Sequence, residues 1–134
     1  MIRKVEQARS AIPTTKVRDE PLRFSFQYFR DDPEMCPGEY DCAYTQKLIE
    51  RLQALSSWTV TQFTTKTDKG VRNHRIDWDR TARPDGFAHL NQQLRDSDAW
   101  QFSVSSNAHG RVHGLLIDST FYVVWLDYNH ALYP

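Results

Sequence analysis

The stretch WQFSVSSNAHGRVHGLLIDSTFYVVWLD, from Trp100 to Asp127, decides the fold of this chain. It contains three runs of strand length, Trp100–Ser106, Arg111–Ile117 and Phe121–Asp127, separated by the turn sequences Asn-Ala-His-Gly and Asp-Ser-Thr. Strands joined by short turns pair with their neighbours and run in opposite directions. We therefore predict an antiparallel meander of three strands in this part of the chain.

Side chains alternate between the two faces of the sheet along each predicted strand. On the second strand, Arg111 and His113 therefore share a face with Leu115 and Ile117. The first strand has apolar side chains on one face and serines and a glutamine on the other. This polar face either is exposed to solvent or forms the base of a substrate-binding site. On the third strand we expect one face to carry Phe121, Val123, Trp125 and Asp127.

Helical spacing of apolar residues predicts three helices upstream of the meander. Asp41 is expected to cap the first helix. The buried side of this helix consists of Tyr44, Leu48, Leu52 and Leu55, with Ile49 beside it. Ser57 is expected to cap a short second helix over residues 58–65, with a strand there as the alternative. The third helix is predicted over roughly residues 86–96 from the spacing of Phe87, Leu90 and Leu94.

The remaining segments complete an α+β fold. Alternation of apolar and polar residues predicts a strand over residues 22–29, and residues 64–84 have no regular period. We predict an antiparallel sheet of about four strands with helices packed on one face and the other face partly open. Residues 1–20 are predicted to be a flexible N-terminal arm, and residues 21–134 a single α+β domain.

Composition limits the class of protein. The 134 residues contain 17 basic and 17 acidic side chains, so bulk positive charge for binding nucleic acid is lacking, although a local basic patch remains open. No apolar run approaches the length of a membrane span, and no apolar leader follows Met1, so a cytoplasmic location is expected. Cys36 and Cys42 have two interpretations. They are either structural zinc ligands, with two histidines as the other two ligands, or small apolar residues near the start of a helix.

Four side chains suited to proton transfer and phosphate binding lie near the ends of the last two strands. They are Arg111 and His113 at the start of the second strand, and His130 and Tyr133 after the third. Because the start of one strand lies beside the end of its antiparallel neighbour, these residues are expected to gather at one sheet edge. An arginine, a histidine and a tyrosine are what metal-free phosphodiester cleavage requires, and no cofactor is expected. The alternative is that the histidines are structural and that Tyr133 fills an apolar groove.

The segment from residue 64 to residue 83 is the most basic part of the chain. Its functional interpretation is a loop that grips phosphates and stacks a base, with Arg72, His74, Arg75 and Trp78 as substrate-binding residues. Its alternative interpretation is a solvated loop with no ligand.

The meander resembles that of the RelE/ParE toxin superfamily. The resemblance rests on Trp100-Gln-Phe-Ser-Val, Gly110-Arg-Val, Ile117-Asp and Phe121-Tyr-Val-Val-Trp-Leu, and on the ending Asn129-His-Ala-Leu-Tyr. It implies a small bacterial toxin that cleaves messenger RNA, commonly on the ribosome, and is held inactive by an antitoxin. In that resemblance Arg111 matches a phosphate-contacting arginine, His130 matches an acid or base of the tail, and Tyr133 matches a tail aromatic.

Three functions stay open at this point. The first is the endoribonuclease, acting through Arg111, His113, His130 and Tyr133. The second is a protein that binds a partner without catalysis, either a gyrase inhibitor of the same superfamily or a mobile-element or phage protein that blocks a host complex, with surface aromatic residues as anchors. The third is a small-molecule binder with a pocket between the sheet and residues 64–84, which no nucleotide-binding motif supports.

Overall fold

The computed structural model describes residues 19–36, 38–106 and 108–134, so the predicted arm over residues 1–20 lies outside it except for its last two residues. These two are anchored, since Asp19 Oδ1 accepts a hydrogen bond from the Thr61 amide and Glu20 O accepts one from the Val60 amide.

Five strands of the described chain form one mixed sheet in the order β1-β5-β4-β3-β2. Their bounds are β1 Arg23–Ser25, β2 His74–Arg75, β3 Asp98–Ser103, β4 Arg111–Ile117 and β5 Thr120–Asp127. The predicted meander is confirmed as β3, β4 and β5, and the α+β class is confirmed with it. The prediction of an antiparallel sheet of about four strands is wrong, because β1 pairs in parallel with β5 and the irregular basic segment contributes β2.

A bulge in β5 changes which side chains share a face. Gly114 pairs with Val123 and His113 pairs with Trp125, which leaves Val124 as the extra residue. Val123 points into the core on one side of the sheet, whereas Val124 and Trp125 both belong to the core on the other side. The predicted common face of Phe121, Val123, Trp125 and Asp127 is therefore wrong beyond Val123.

Both faces of the sheet are covered. The helices α1 (Cys42–Leu55) and α2 (Val60–Thr65) pack on one face, over a core centred on Phe63, Phe102 and Phe121. The other face is covered mainly by irregular segments, which supply the buried side chains Met35, Ile76, Phe87 and Leu132. The predicted open face is wrong, and so is the packing of all helices on one side, because α3 (Gln92–Arg95) adds Leu94 to this second core.

Capping explains where the helices begin. Asp41 caps α1 as predicted, and Ile49 on its outer side is 58% exposed. Helix α2 is capped by Thr59 rather than Ser57, since Thr59 and Gln62 form a reciprocal capping box. The third predicted helix is shortened to α3 because Asn91 caps it, while Gly86 at φ +69° and the burial of Phe87 hold the preceding residues in turns.

The predicted strand over residues 22–29 ends early. β1 stops at Ser25, and a turn follows in which the Phe29 amide donates to Phe26 O. The alternation is lost there, so Phe26 is 50% exposed while Tyr28 packs against Tyr122 in the second core.

The cap of α1 gives a testable stability difference. Asp41 Oδ1 accepts the Tyr44 amide at 2.8 Å, so Asp41→Ala should lower the free energy of unfolding by about 1 kcal/mol in urea denaturation. Asp41→Ser keeps an acceptor at the cap and should retain most of the stability. Equal losses in the two variants would show that the side-chain cap contributes little.

Candidate functional site

His113 and Asp127 form a buried hydrogen-bonded pair between β4 and β5. His113 Nε2 lies 2.9 Å from Asp127 Oδ2, and the two side chains are 0% and 1% exposed. The carboxylate also accepts the amides of Ala131 at 2.8 Å and Leu132 at 3.0 Å. Three donors therefore converge on Asp127, and two of them help to hold the C-terminal segment after β5 over the sheet.

The pair is held as neutral imidazole and carboxylate. Burial lowers the pKa of His113 below its usual value, although the hydrogen bond to Asp127 opposes this. Burial tends to raise the pKa of Asp127, but the hydrogen bonds from His113, Ala131 and Leu132 outweigh it and hold that pKa below its ordinary range. A neutral His113 with its proton on Nε2 satisfies the carboxylate.

Stability should therefore fall on the acid side of neutrality. The unfolded chain protonates this histidine near pH 6.5, above its folded pKa, so we expect the free energy of unfolding to decrease as the pH falls below about 6.5. Protonation of Asp127 adds a further loss below its unfolded pKa of about 4. Urea denaturation across about pH 3–8 measures both losses, with His113→Gln expected to remove the upper one. An acid-side loss in His113→Gln as large as that in the wild type would show that this histidine does not cause it.

Arg111 and Arg72 are two neighbouring cations that have no carboxylate partner among the described residues. No carboxylate oxygen of the described residues lies within 4 Å of either guanidinium. Arg111 Nη1 donates to the adjacent Gly110 O at 3.2 Å, and Arg72 Nε donates to Ser106 O at 3.2 Å. Partial burial lowers the pKa of Arg111, and the charge of Arg72 adds to this. A bound anion would relieve the repulsion between the two guanidinium groups.

His74 and Tyr133 lie together at the β2 edge of the same sheet. Their ring centroids are 5.7 Å apart, and His74 is exposed. His74 Nδ1 lies 2.7 Å from the Arg75 carbonyl, which can only accept, so Nδ1 carries the proton and Nε2 keeps a free lone pair. The Tyr133 hydroxyl accepts the Asp77 amide at 2.9 Å, and its own proton makes only a long contact of 3.5 Å to the Asp77 carbonyl, from which a substrate oxygen can take it. This edge therefore offers one proton acceptor and one proton donor.

A cross-strand row connects this edge to the buried pair. His74 pairs with Gln101, Gln101 pairs with His113, and His113 pairs with Trp125. The electrostatic influence of both His74 and Arg111 reaches His113. We call Arg72, Arg111, His74 and Tyr133 together the basic patch, in which Arg72 and His74 are exposed and Arg111 and Tyr133 are half-buried.

The other predicted site residues lie elsewhere. His113 has no exposed surface, so in this structure it cannot touch a substrate. Arg75 pairs with Asp98 at 2.7 Å, and Trp78 packs its ring against Phe87 and Trp125 in the second core. His130 is exposed after β5, with φ at +56°.

The pairing of Asp127 with His113 is not predicted by the sequence analysis. Simple counting from the Asp118–Ser119 turn would place His113 opposite Val124, and the bulge moves Trp125 into that position. The one available signal was Gly114, where a Cβ would lie 2.1 Å from Tyr122 O and which therefore marks a close backbone approach.

Comparison with protein-family models, with curated proteins and with solved structures gave no match. In the described ranges no three His, Cys, Asp or Glu side chains are arranged to hold a metal ion, Cys36 and Cys42 included. No helix within those ranges has both the length and the apolar character needed to cross a membrane.

Proposed function

We propose that this chain is a metal-free endoribonuclease and acts as a RelE-like bacterial toxin in the cytoplasm. Two observations carry the proposal: the neighbouring arginines Arg72 and Arg111 make no ion pair within the described residues, and an exposed histidine packs against a tyrosine at the β2 edge of the sheet that carries Arg111. The paired N–H donors of an arginine guanidinium match the spacing of phosphate oxygens. The histidine and the tyrosine supply the proton transfers that cleavage needs.

The roles follow from which groups are exposed. Arg111 and Arg72 bind the scissile phosphate and stabilise the charge that develops on it. His74 Nε2 takes the proton of the ribose 2′-hydroxyl, whose oxygen forms a bond to phosphorus while the bond from phosphorus to the 5′-oxygen breaks. Tyr133 or His130 gives a proton to the leaving 5′-oxygen. The products are a 2′,3′-cyclic phosphate and a 5′-hydroxyl end.

His113 has a positioning role in this proposal. Through Asp127 it fixes the segment that carries His130 and Tyr133, without contacting RNA itself. Its replacement should therefore disturb cleavage in step with the loss of structure around the C-terminal segment.

The direct test is cleavage of labelled messenger RNA, both on translating ribosomes in magnesium buffer and as free RNA with and without excess EDTA. We expect cleavage that EDTA does not inhibit, with cyclic phosphate ends, and arrested growth of cells that express the chain without an antitoxin. Absence of cleavage on both substrates, or its complete loss in EDTA, would reject the mechanism.

A second candidate, a non-enzymatic protein-binding inhibitor, is favoured by the exposed aromatics after β1. Phe26 is 50% and Phe29 36% exposed, and both lie on one turn. Exposed aromatic rings of this kind anchor protein interfaces. Stoichiometric capture of one protein partner that Phe26→Ser weakens and Arg111→Ala does not, with no RNA cleavage, would favour this candidate.

A further inference from the structure

A polar cleft of about 430 Å³ opens beside Trp125, outside the basic patch. Its volume falls in the range of about 300–1,000 Å³ that is usual for small-ligand sites. It is lined chiefly by residues 82–89 together with Arg30, Asp32 and Trp125. The groups that line it carry both signs of charge, so it is suited to a ligand that presents donors and acceptors side by side rather than to a simple anion.

Arg83 forms a rigid, flat floor in this cleft. Its guanidinium makes a two-pronged ion pair with Asp32, donates to Glu34 Oε1 at 2.8 Å, and lies over the Trp125 ring at 5.0 Å. These contacts fix the plane of a side chain that would otherwise sample many conformations. An arginine plane fixed in this way is a surface on which a nucleobase stacks.

Three further groups around this floor have unused hydrogen-bonding capacity. Among the described residues, Arg30 and the Asp85 carboxylate make no ion pair within 4 Å, and Nε2 of His89 is enclosed without a partner. The cleft therefore has a cationic donor, an anionic acceptor and an imidazole around a stacking surface. Only a ligand whose edge carries both kinds of group can use all of them.

Guanine has such an edge. Its N1–H and N2–H groups donate to a carboxylate, and its O6 and N7 atoms accept from a guanidinium. Adenine lacks the adjacent pair of donors and offers Asp85 only a single hydrogen bond, from its N6 amino group. The Asp85 carboxylate should therefore favour the binding of guanine over the binding of adenine.

The cleft and the basic patch lie on the same face of the sheet and are linked by the C-terminal segment. Leu132 O accepts the amide of Ala82, which lines the cleft, and the next residue, Tyr133, packs against His74 in the patch. β2 and β5 are three strand spacings apart, about 15 Å, so a short single strand of RNA can reach from one site to the other.

We propose that this cleft binds a guanine base of the RNA strand whose phosphate lies on the basic patch, with Arg83 as the stacking surface and Asp85 and Arg30 as readers of the base edge. This rests on the proposed function, which it deepens by naming the base that directs cleavage. The cleft selects the sequence, and the patch performs the chemistry.

The test measures binding of the full chain to two short single-stranded RNAs that differ only in one central base, guanine or adenine, by fluorescence anisotropy. We expect the guanine RNA to bind about tenfold more tightly, and Asp85→Asn to remove this preference while leaving the affinity for the adenine RNA unchanged. Asp79→Asn, which changes an exposed carboxylate outside the cleft, should keep the preference.

Guanosine and adenosine monophosphates provide a readout that does not depend on cleavage. The inference is overturned if wild type and Asp85→Asn show the same ratio of guanine to adenine affinity, for the RNAs and for the mononucleotides. If Arg111→Ala loses RNA binding and cleavage while that ratio is unchanged by Asp85→Asn, the inference alone fails. If guanosine monophosphate binds in an Asp85-dependent manner but no RNA is cleaved, the proposed function alone fails.

Discussion

Arg111→Ala is expected to reduce RNA cleavage about 100-fold while the protein stays folded. The Arg111 guanidinium is partly buried and makes no ion pair within the described residues, so part of its desolvation cost has already been met before phosphate binds. Loss of one donor directed at the developing charge costs on the order of 100-fold in other enzymes. The measurement is the single-turnover cleavage rate, with the thermal unfolding midpoint recorded for the same sample.

Two matched variants sharpen this result. Arg111→Lys keeps the charge but loses the fork of donors, so its rate should lie between those of wild type and Arg111→Ala. Arg23→Ala removes a cation whose side chain is 71% exposed on the edge strand β1, and it should cleave at the wild-type rate. Full activity in a folded Arg111→Ala protein would show that the phosphate binds elsewhere.

Arg72 is expected to act on affinity more than on rate. It is exposed, and a single exposed contact to phosphate contributes mainly through release of counterions. Arg72→Ala should therefore weaken RNA binding uniformly across sequences and lower the slope of log affinity against log salt by about 1. An unchanged salt slope would place Arg72 outside the RNA contact.

The elements that could be predicted from the sequence are those that local signals determine. The meander was predictable because alternation and short turns are encoded within a few residues, and α1 was predictable because Asp41 and the spacing of Tyr44, Leu48 and Leu55 agree. The Thr59 cap is equally local, because the pattern Thr-x-x-Gln is the sequence signal of a capping box.

The elements missed were those set by tertiary contacts. β2 has only two residues and exists because it pairs with β3, and the parallel position of β1 depends on a partner almost 100 residues away. The second core is built by irregular segments whose burial follows from packing on Leu115 and Trp125 rather than from any period. Such pairings have no signature within a short window of sequence.

The candidate site shows the same division. Arg111, His113, His130 and Tyr133 were selected because strand ends meet at a sheet edge, and Arg72 and His74 were selected from the basic segment. The structure brings Arg72 near Arg111 and packs His74 against Tyr133, whereas it buries His113 and pairs Arg75 with Asp98. One bulge residue, Val124, decides that Asp127 faces His113, and a single inserted residue cannot be located from alternation alone.

Asp127→Ala is expected to cause the largest loss of stability, about 3–5 kcal/mol. The substitution leaves His113 Nε2 and the amides of Ala131 and Leu132 without an acceptor in a region that water does not reach. Each buried donor left unsatisfied costs about 1–3 kcal/mol, and the three share one carboxylate, so the losses do not simply add. Because a loss of this size rivals the whole stability of a small domain, Asp127→Asn, which keeps one acceptor and should lose less, is measured alongside it by urea denaturation.

A double-mutant cycle separates two contributions of Asp127 to stability, its hydrogen bond to His113 and its hydrogen bonds to the C-terminal segment. If Asp127 acts mainly through His113, then His113→Leu should remove most of the further cost of Asp127→Ala, giving a coupling energy above 1 kcal/mol. If it acts mainly by holding the C-terminal segment, the two losses should add, and hydrogen exchange should show the Leu132 amide opening in Asp127→Ala but not in His113→Leu. The geometry favours the second outcome, since two of the three donors to this carboxylate belong to that segment. Asp79→Ala, on an exposed position, should change stability by less than about 0.5 kcal/mol and sets the baseline for the cycle.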